Sequence, residues 1–486
     1  MANRCPSCGG TLRFDIQKQK LVCEYCMSEF DASSMPQMGG AGESQDFGQE
    51  QAQEGGGDTI DAKIFTCPNC GAEVFATDLD AVEYCAYCGT FVTLESRLAK
   101  LQKPSYILPF AITKEKCMEL YKEKLKSARY LPKDMTAEKA ESSFRRIYIP
   151  YWTYQMDFNP DTQISADTKE SWTSGNKEYT QHYTIQARAE GRLDNLFFDA
   201  SATLEDRISD DIRNFSTDSL QPYNSSLMAG SYADVADVDK DTYEDEVYQE
   251  GKNIILEEMR SGLSKNGGRG VSGESVRKTS SLSSFSSSQD KRSLGTVSAK
   301  LAMLPVWFMT YKNKDRLCYA VVNGSTGKMF AEIPADIKKY TISSIILAIP
   351  IFILLELFFT LMPKTLLIAT AILGLVILFS YWSASRKLKR QERRTDDKGY
   401  QKVFGRQEGS SGGGSSGPGA LVSLLSLIAA AGIFYLNPVD DLIYYGGALL
   451  CITGSFLTIA SMVKAHNLSC SRPIPHFFDK RKEAGK

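Results

Sequence analysis

Eight of the twelve cysteines in this 486-residue chain fall in four Cys-x-x-Cys pairs. Cys5 and Cys8 are followed by Cys23 and Cys26, and Cys67 and Cys70 by Cys85 and Cys88. Fourteen residues separate Cys8 from Cys23, and fourteen separate Cys70 from Cys85. Two residues between cysteines let one tight knuckle aim both sulfurs at a single ion, and Gly9 and Gly71 relieve backbone strain just after it. Four thiolates satisfy a tetrahedral zinc and leave no open position. The expected chemistry is therefore two structural Zn2+ ions, with no catalytic site. A redox pair would stand alone beside a βαβ pattern. Cys117, Cys318, Cys451 and Cys470 have no partner at ligand spacing and read as ordinary thiols.

The segments Thr11–Val22 and Ala72–Tyr84 suit hairpins that carry each second knuckle to its first. This gives two small β ribbons, at 1–31 and 64–98, joined by a Gly-, Gln-, Ser- and Glu-rich linker at 32–63. A flexible linker of that length spans roughly 30 Å, enough for the ribbons to act independently. Neither is large enough to build its own core, so metal binding supplies most of its folding free energy. No Lys or Arg occurs between Thr66 and Ser96, and an acidic ribbon repels phosphate. Protein docking is thus favoured over nucleic-acid binding.

Metal rather than disulfide chemistry requires a reducing compartment. Four apolar blocks, at 341–362, 365–384, 419–436 and 442–463, are long enough to cross a membrane as helices. They group into hairpins at 341–384 and 419–463, separated by a basic then Gly/Ser-rich loop at 385–418 and followed by a basic tail at 464–486. Lys338 and Lys339 precede the first block, Arg386 to Arg394 follow the second, and Lys464, Arg472 and Lys480–Lys482 follow the fourth. The outer turns offer Lys364 alone. The positive-inside rule then places both termini and the central loop in the cytoplasm of a multi-pass plasma-membrane protein. The basic loop is expected to bind anionic lipid. No signal peptide is visible after Met1. The formal charge is −2 and 43% of residues are hydrophobic, so no global basic field calls for nucleic acid.

Residues 104–260 and 298–335 read as an α+β cytoplasmic domain, interrupted by a Ser-rich insertion at 261–297. Lys114–Leu125 predicts a helix with Thr113 as N-cap, and Asp241–Met259 a second. Ile147–Phe158 predicts a strand interrupted at Pro150, and His182–Leu193 another. Leu304–Tyr311, Leu317–Val322 and Met329–Ile333 predict a meander with turns at Asn323-Gly324 and Thr326-Gly327. Gly324-Ser-Thr-Gly-Lys328 is no phosphate loop, because Val322 and Met329 stand where Gly and Ser/Thr are needed and a strand follows. His182 lacks a nucleophile motif. No enzyme constellation survives.

Ile147-Tyr-Ile-Pro-Tyr-Trp152 and Leu304-Pro-Val-Trp307, with Asn323-Gly-Ser-Thr-Gly-Lys328, ribbons in front and spans behind, resemble a family of bacterial membrane proteins: zinc-ribbon proteins of the transcription-factor-IIB type. That resemblance implies a membrane platform that recruits phage-shock-like or flotillin-like (SPFH) partners during envelope stress. It covers nearly the whole chain in layout.

Two rival readings remain. A membrane-tethered nucleic-acid binder would draw charge from the first ribbon and the basic loop. A small channel or transporter would use Glu356, a carboxylate inside the first span. The fold class expected is multidomain: two β ribbons, an α+β domain and a four-helix transmembrane region.

Overall fold

The computed structural model describes residues 4–35, 59–76, 85–90, 95–132, 135, 143–158, 163–175, 177–188, 191–266, 295–313, 316–358, 363–392, 394, 396–405, 418–436 and 439–477. Most of the expected 32–63 linker and most of the expected Ser-rich insertion lie outside these residues. The side chain of Glu356 also lies outside them, although its backbone is helical.

Strands β1 (Leu12–Asp15), β2 (Lys20–Cys23) and β3 (Glu29–Phe30) make a three-stranded antiparallel sheet. Next come β4 (Thr59–Thr66), β5 (Glu73–Ala76), β6 (Glu95–Gln102), β7 (Tyr106–Ile107) and helix α1 (Lys114–Lys126). The Thr113 side chain caps α1 by accepting from the Lys116 amide at 3.3 Å, as its residue type predicts. The centre of the chain supplies β8 (Arg145–Phe158), the hairpin β9 (Gln163–Ser174) and β10 (Lys177–Arg188), and β11 (Arg192–Asp199). Helix α2 (Asp206–Ile212), β12 (Gln221–Pro222), β13 (Tyr232–Asp234) and α3 (Glu244–Asn266) follow. A 3-10 turn at Lys240–Tyr243 stands where the second helix was expected to begin, and α3 runs on past Met259 into the Ser-rich stretch.

β14 (Gly295–Asn313), β15 (Arg316–Asn323) and β16 (Met329–Ala331) form the expected meander. β14 lies antiparallel to β8 over fourteen residue pairs, from Gly295↔Phe158 to Phe308↔Arg145. These two strands are rich in aromatic and β-branched residues, which suit a sheet buried on both faces. Pro150 was expected to interrupt its strand, yet β8 is continuous through it. The Pro150 carbonyl accepts from Ala200 N at 2.9 Å, so the missing N–H lies on that same side. There β13 pairs only as far as Tyr148 and β11 begins at Tyr151, so no ladder bond is lost. Pro305 in β14 uses the same device: its carbonyl accepts from Gly324 N at 2.8 Å, just past the end of β15.

Neither cysteine unit stands apart from the body. β5 pairs with β13, which pairs with β8, so the second unit is stitched into a twelve-stranded sheet. The first unit docks through its sheet. Phe14 N donates to the Ala229 carbonyl at 3.2 Å, and Gln19 Nε2 donates to the Phe110 carbonyl at 2.8 Å. Leu12, Phe14 and Leu21 of this unit share one apolar core with Met118 and Tyr121 of α1 and with Trp307.

A helix occupies each of the four apolar blocks: α4 (Ile337–Phe358), α5 (Pro363–Glu392), α7 (Pro418–Tyr435) and α8 (Asp441–Ser469), with a short α6 (Lys398–Phe404) between the pairs. Among the described residues one of them, α8, is long and apolar enough to cross a membrane. Leu367–Ser383 and Leu421–Tyr435 are apolar but shorter. α5, α7 and α8 pack through Leu378, Leu427, Phe434 and Cys451. Gly454 lets two of these helices approach closely, since a Cβ there would lie 2.6 Å from Ser426 Oγ. Ser423 Oγ also donates to the Gly454 carbonyl at 2.8 Å. β17 (Arg472–Pro473) follows α8 and pairs with the start of β15.

Candidate metal centres

Each knuckle is built by the same backbone turn. Cys5 N donates to Gly10 O at 2.7 Å and Gly9 N to Cys5 O at 2.8 Å; Cys67 N donates to Ala72 O at 2.9 Å and Gly71 N to Cys67 O at 2.8 Å. Cys85 and Gly89 repeat the pattern, and so do Cys23 and Met27. The residue after the second cysteine always has positive φ: 75° at Gly9, 77° at Gly71, 68° at Gly89 and 59° at Met27. Glycine takes this conformation without strain, whereas Met27 carries a Cβ into it. The glycines expected from the sequence, Gly9 and Gly71, hold this turn as expected; Gly89 and Met27 extend the same turn to the second knuckles.

The folded chain brings all eight predicted ligands together as two sets of four, with the sulfurs of each set within 4.8 Å of one another. Cys67 and Cys88 Sγ are 3.7 Å apart, as are Cys70 and Cys85 Sγ. In the first set the corresponding distances are 3.5 Å for Cys5–Cys26 and 3.4 Å for Cys8–Cys23. Sulfurs bound tetrahedrally to one zinc at the usual bond length would be about 3.8 Å apart. The second set matches that closely, and the first needs an expansion of a few tenths of an ångström. Both donor sets fit a metal ion.

The two centres differ in exposure. Cys5 and Cys23 are buried while Cys8 and Cys26 are exposed, so the first centre sits at the surface. All four cysteines of the second are buried. Its second knuckle carries Tyr87, whose hydroxyl donates to Asp234 Oδ2 at 2.6 Å. Ser201 Oγ donates to the same carboxylate oxygen. The Tyr87 carbonyl accepts from Tyr319 Oη at 2.8 Å, and the Ala86 carbonyl accepts from Thr310 Oγ1. Side chains from β13, β14 and β15 thus hold the knuckle through the Tyr87 hydroxyl and the Ala86 and Tyr87 carbonyls.

The tail behind α8 closes this centre. Phe477 N donates to the Cys70 carbonyl at 2.6 Å, and the Phe477 ring lies edge-on to Tyr87 at 6.5 Å. Upstream, Arg472 is buried between Glu205 and Glu332, at 2.5 Å from an oxygen of each. Burial alone would depress the Arg472 pKa, but the two carboxylates hold it above its ordinary value. Arg394, from the α5–α6 connection, donates to the Ala202 carbonyl at 2.9 Å and lies over the Tyr400 ring at 4.7 Å. Asp397 beside it is pushed up to about 7 by burial, against the opposing pull of Arg394. Sequence reasoning missed Asp234 and Phe477, which reach the knuckles at Tyr87 and Cys70 from far along the chain, and Arg472, which anchors the tail between Glu205 and Glu332.

No protein-family model matches the chain, and no solved structure matches it. The chain is similar to the uncharacterized protein YdjG of Bacillus subtilis (strain 168), with 24% identity over 344 residues that cover 69% of this chain and 91% of that protein.

Proposed function

We propose that this chain is a non-enzymatic, multi-pass membrane platform whose two cysteine centres hold zinc and whose body docks protein partners in the cytoplasm. The observation that carries the reading is the outward face of the helices. Ile345, Ile346, Leu347, Leu373, Phe379, Leu425 and Ile452 are each more than half exposed, as are many neighbours. Such a surface is a liability in water and a requirement in lipid. Arg386 lies over the Trp382 ring at 3.8 Å, and Tyr435 and Tyr445 are exposed near the opposite turn. Aromatic residues of this kind anchor helices at the two interfaces of a bilayer.

Zinc is the ion the donor sets favour, because four thiolates at these separations suit its size and geometry. The two centres then divide their labour. The buried one braces the sheet and the tail behind the last helix. The exposed one offers a metal-stabilised surface beside the body. Partners of the phage-shock or SPFH type, as the family resemblance implies, are part of this reading. Crosslinking in native membranes followed by detergent extraction tests it. A defined partner set that is lost when the first centre is disrupted by Cys8→Ser supports docking. Recovery of the chain from the aqueous fraction, or with no crosslinked protein, contradicts the platform.

A further inference from the structure

A cleft of about 1250 Å3 separates the first cysteine hairpin from the body. Arg146 is largely buried in its wall and spans the gap. Its guanidinium donates to the Phe14 carbonyl at 2.8 Å on one side and to the Gly230 carbonyl at 3.0 Å on the other. Both partners are neutral, so the hydrogen bonds are satisfied without a direct ion pair, and Asp15 acts on the charge only from a distance. Arg4 and Lys114 line the same cleft, and among the described residues neither they nor Arg146 has a carboxylate at ion-pair distance. Arg13 is different: Nε lies 2.8 Å from Glu24 Oε1, which neutralises it.

The acids of the lining are partly spoken for. Asp15 Oδ1 accepts from the backbone amides of Gln17 and Lys18, Glu24 serves Arg13, and Glu115 stands exposed next to Lys114, so the cations Arg4, Arg13, Lys114, Arg145 and Arg146 outnumber these three acids. Three unpaired cations around a desolvated wall favour an anionic guest. The interspersed carboxylates would break the continuous positive track that a nucleic-acid backbone needs. Carboxylates spaced along a peptide can meet the cations one at a time. Aromatic surface is present as well. Tyr25 projects from the second knuckle at 77% exposure, while Trp307 is buried behind the wall and held by a 2.8 Å hydrogen bond from Nε1 to the Ile112 carbonyl.

We propose that this cleft binds an acidic peptide segment of a partner protein, one that carries an aromatic residue between its carboxylates. The inference rests on the platform reading and names the chemistry of its partner. Arg4, Lys114 and Arg146 bind the carboxylates, and Tyr25 takes the aromatic side chain.

The probe is a fluorescent peptide of sequence Glu-Asp-Trp-Glu-Asp-Phe-Glu, titrated by anisotropy against the metal-loaded full chain in detergent. Its Gln/Asn analogue and a short single-stranded DNA serve as comparisons. The acidic peptide is expected to bind at least about tenfold more tightly than the amide analogue, and to weaken with salt. Arg4→Glu combined with Lys114→Glu is expected to weaken it by about tenfold or more. This variant leaves Arg146 and the core of the hairpin in place, and unchanged metal content checks that the hairpin is folded. Tyr25→Ala is expected to weaken the peptide by severalfold. Equal affinity for the two peptides, undiminished binding by the double variant, or preference for the DNA overturns the assignment. A crosslinked partner set that the double variant retains in full also overturns it while leaving the platform intact. Peptide binding without any crosslinked partner upholds the cleft and overturns the platform.

Discussion

The backbone N–H of Phe477 donates to the carbonyl of Cys70 at 2.6 Å. One residue lies eight positions beyond the end of α8; the other is a candidate metal ligand near the start of the chain. The bond ties the last apolar helix to the buried centre. It makes the cysteine knuckle a receptor for the chain's own tail.

Phe477→Ala is the direct probe of that tie. The ring is 3% exposed and packs between Tyr87 and Phe404. Truncating a buried phenylalanine costs about 3–5 kcal/mol. Metal should leave the second centre faster in the presence of a colorimetric chelator, with the slower-leaving centre becoming the first. Unchanged release from both centres would show that the tail does not guard the site.

Disrupting the two centres should have unequal consequences. Cys67→Ser strikes a centre whose cysteines share a core with Ile147, Tyr151 and Phe308 of the main sheet. It should abolish the cooperative unfolding of the body, read by circular dichroism and limited proteolysis. Cys8→Ser strikes an exposed ligand and should loosen only residues near the first hairpin. Equal damage from both would mean the first hairpin is as integral to the body as the second.

Met27 holds φ 59° where the other three knuckles have glycine. Met27→Gly should relieve strain and strengthen the first centre by about 1 kcal/mol. A competition titration for metal, compared with the parent chain, reads the change. Weaker binding would show that the Met27 side chain contributes contacts that outweigh its strain.

The cluster around the tail sets a pH dependence. Asp397 is raised by burial from 3.8 to about 7, with Arg394 opposing and Asp206 and Glu205 reinforcing the shift. The folded state therefore holds a proton that the unfolded state releases between those values. Its stabilising contribution is complete below the lower value and is lost as pH rises through about 7, at up to about 1.4 kcal/mol per pH unit. Asp397→Asn keeps the Oδ1 acceptor for Tyr400 N, 2.7 Å away, and should flatten this dependence. Thermal midpoints measured across the window would show it; an equal slope in both proteins would assign the effect elsewhere.

The two sets of four cysteines were legible because cysteine spacing is local: a knuckle is a single turn, and a glycine after it announces the turn at three of the four. Although among the described residues α8 alone is long and apolar enough to cross a membrane, that helices occupy the four apolar blocks was legible from composition for the same reason. The hairpin turn at Asn323 was too, and there Oδ1 accepts from the amides of Ser325 and Thr326. The burial of the second centre was not legible. It follows from β5 meeting β13, two short strands far apart in sequence, and from Phe477 returning to Cys70. Nor did Pro150 reveal whether it breaks a strand. That depends on which neighbour ends beside it, a property of the sheet rather than of the residue.

The most direct measurement is elemental analysis of metal on the chain extracted by detergent from alkali-washed membranes, in parallel with Cys67→Ser. The expected result is two zinc ions for each parent chain, with the second-centre ion lost in the variant. A chain that washes off the membrane, or that carries no zinc when purified in a chelator-free buffer, would contradict a zinc-braced platform anchored in lipid.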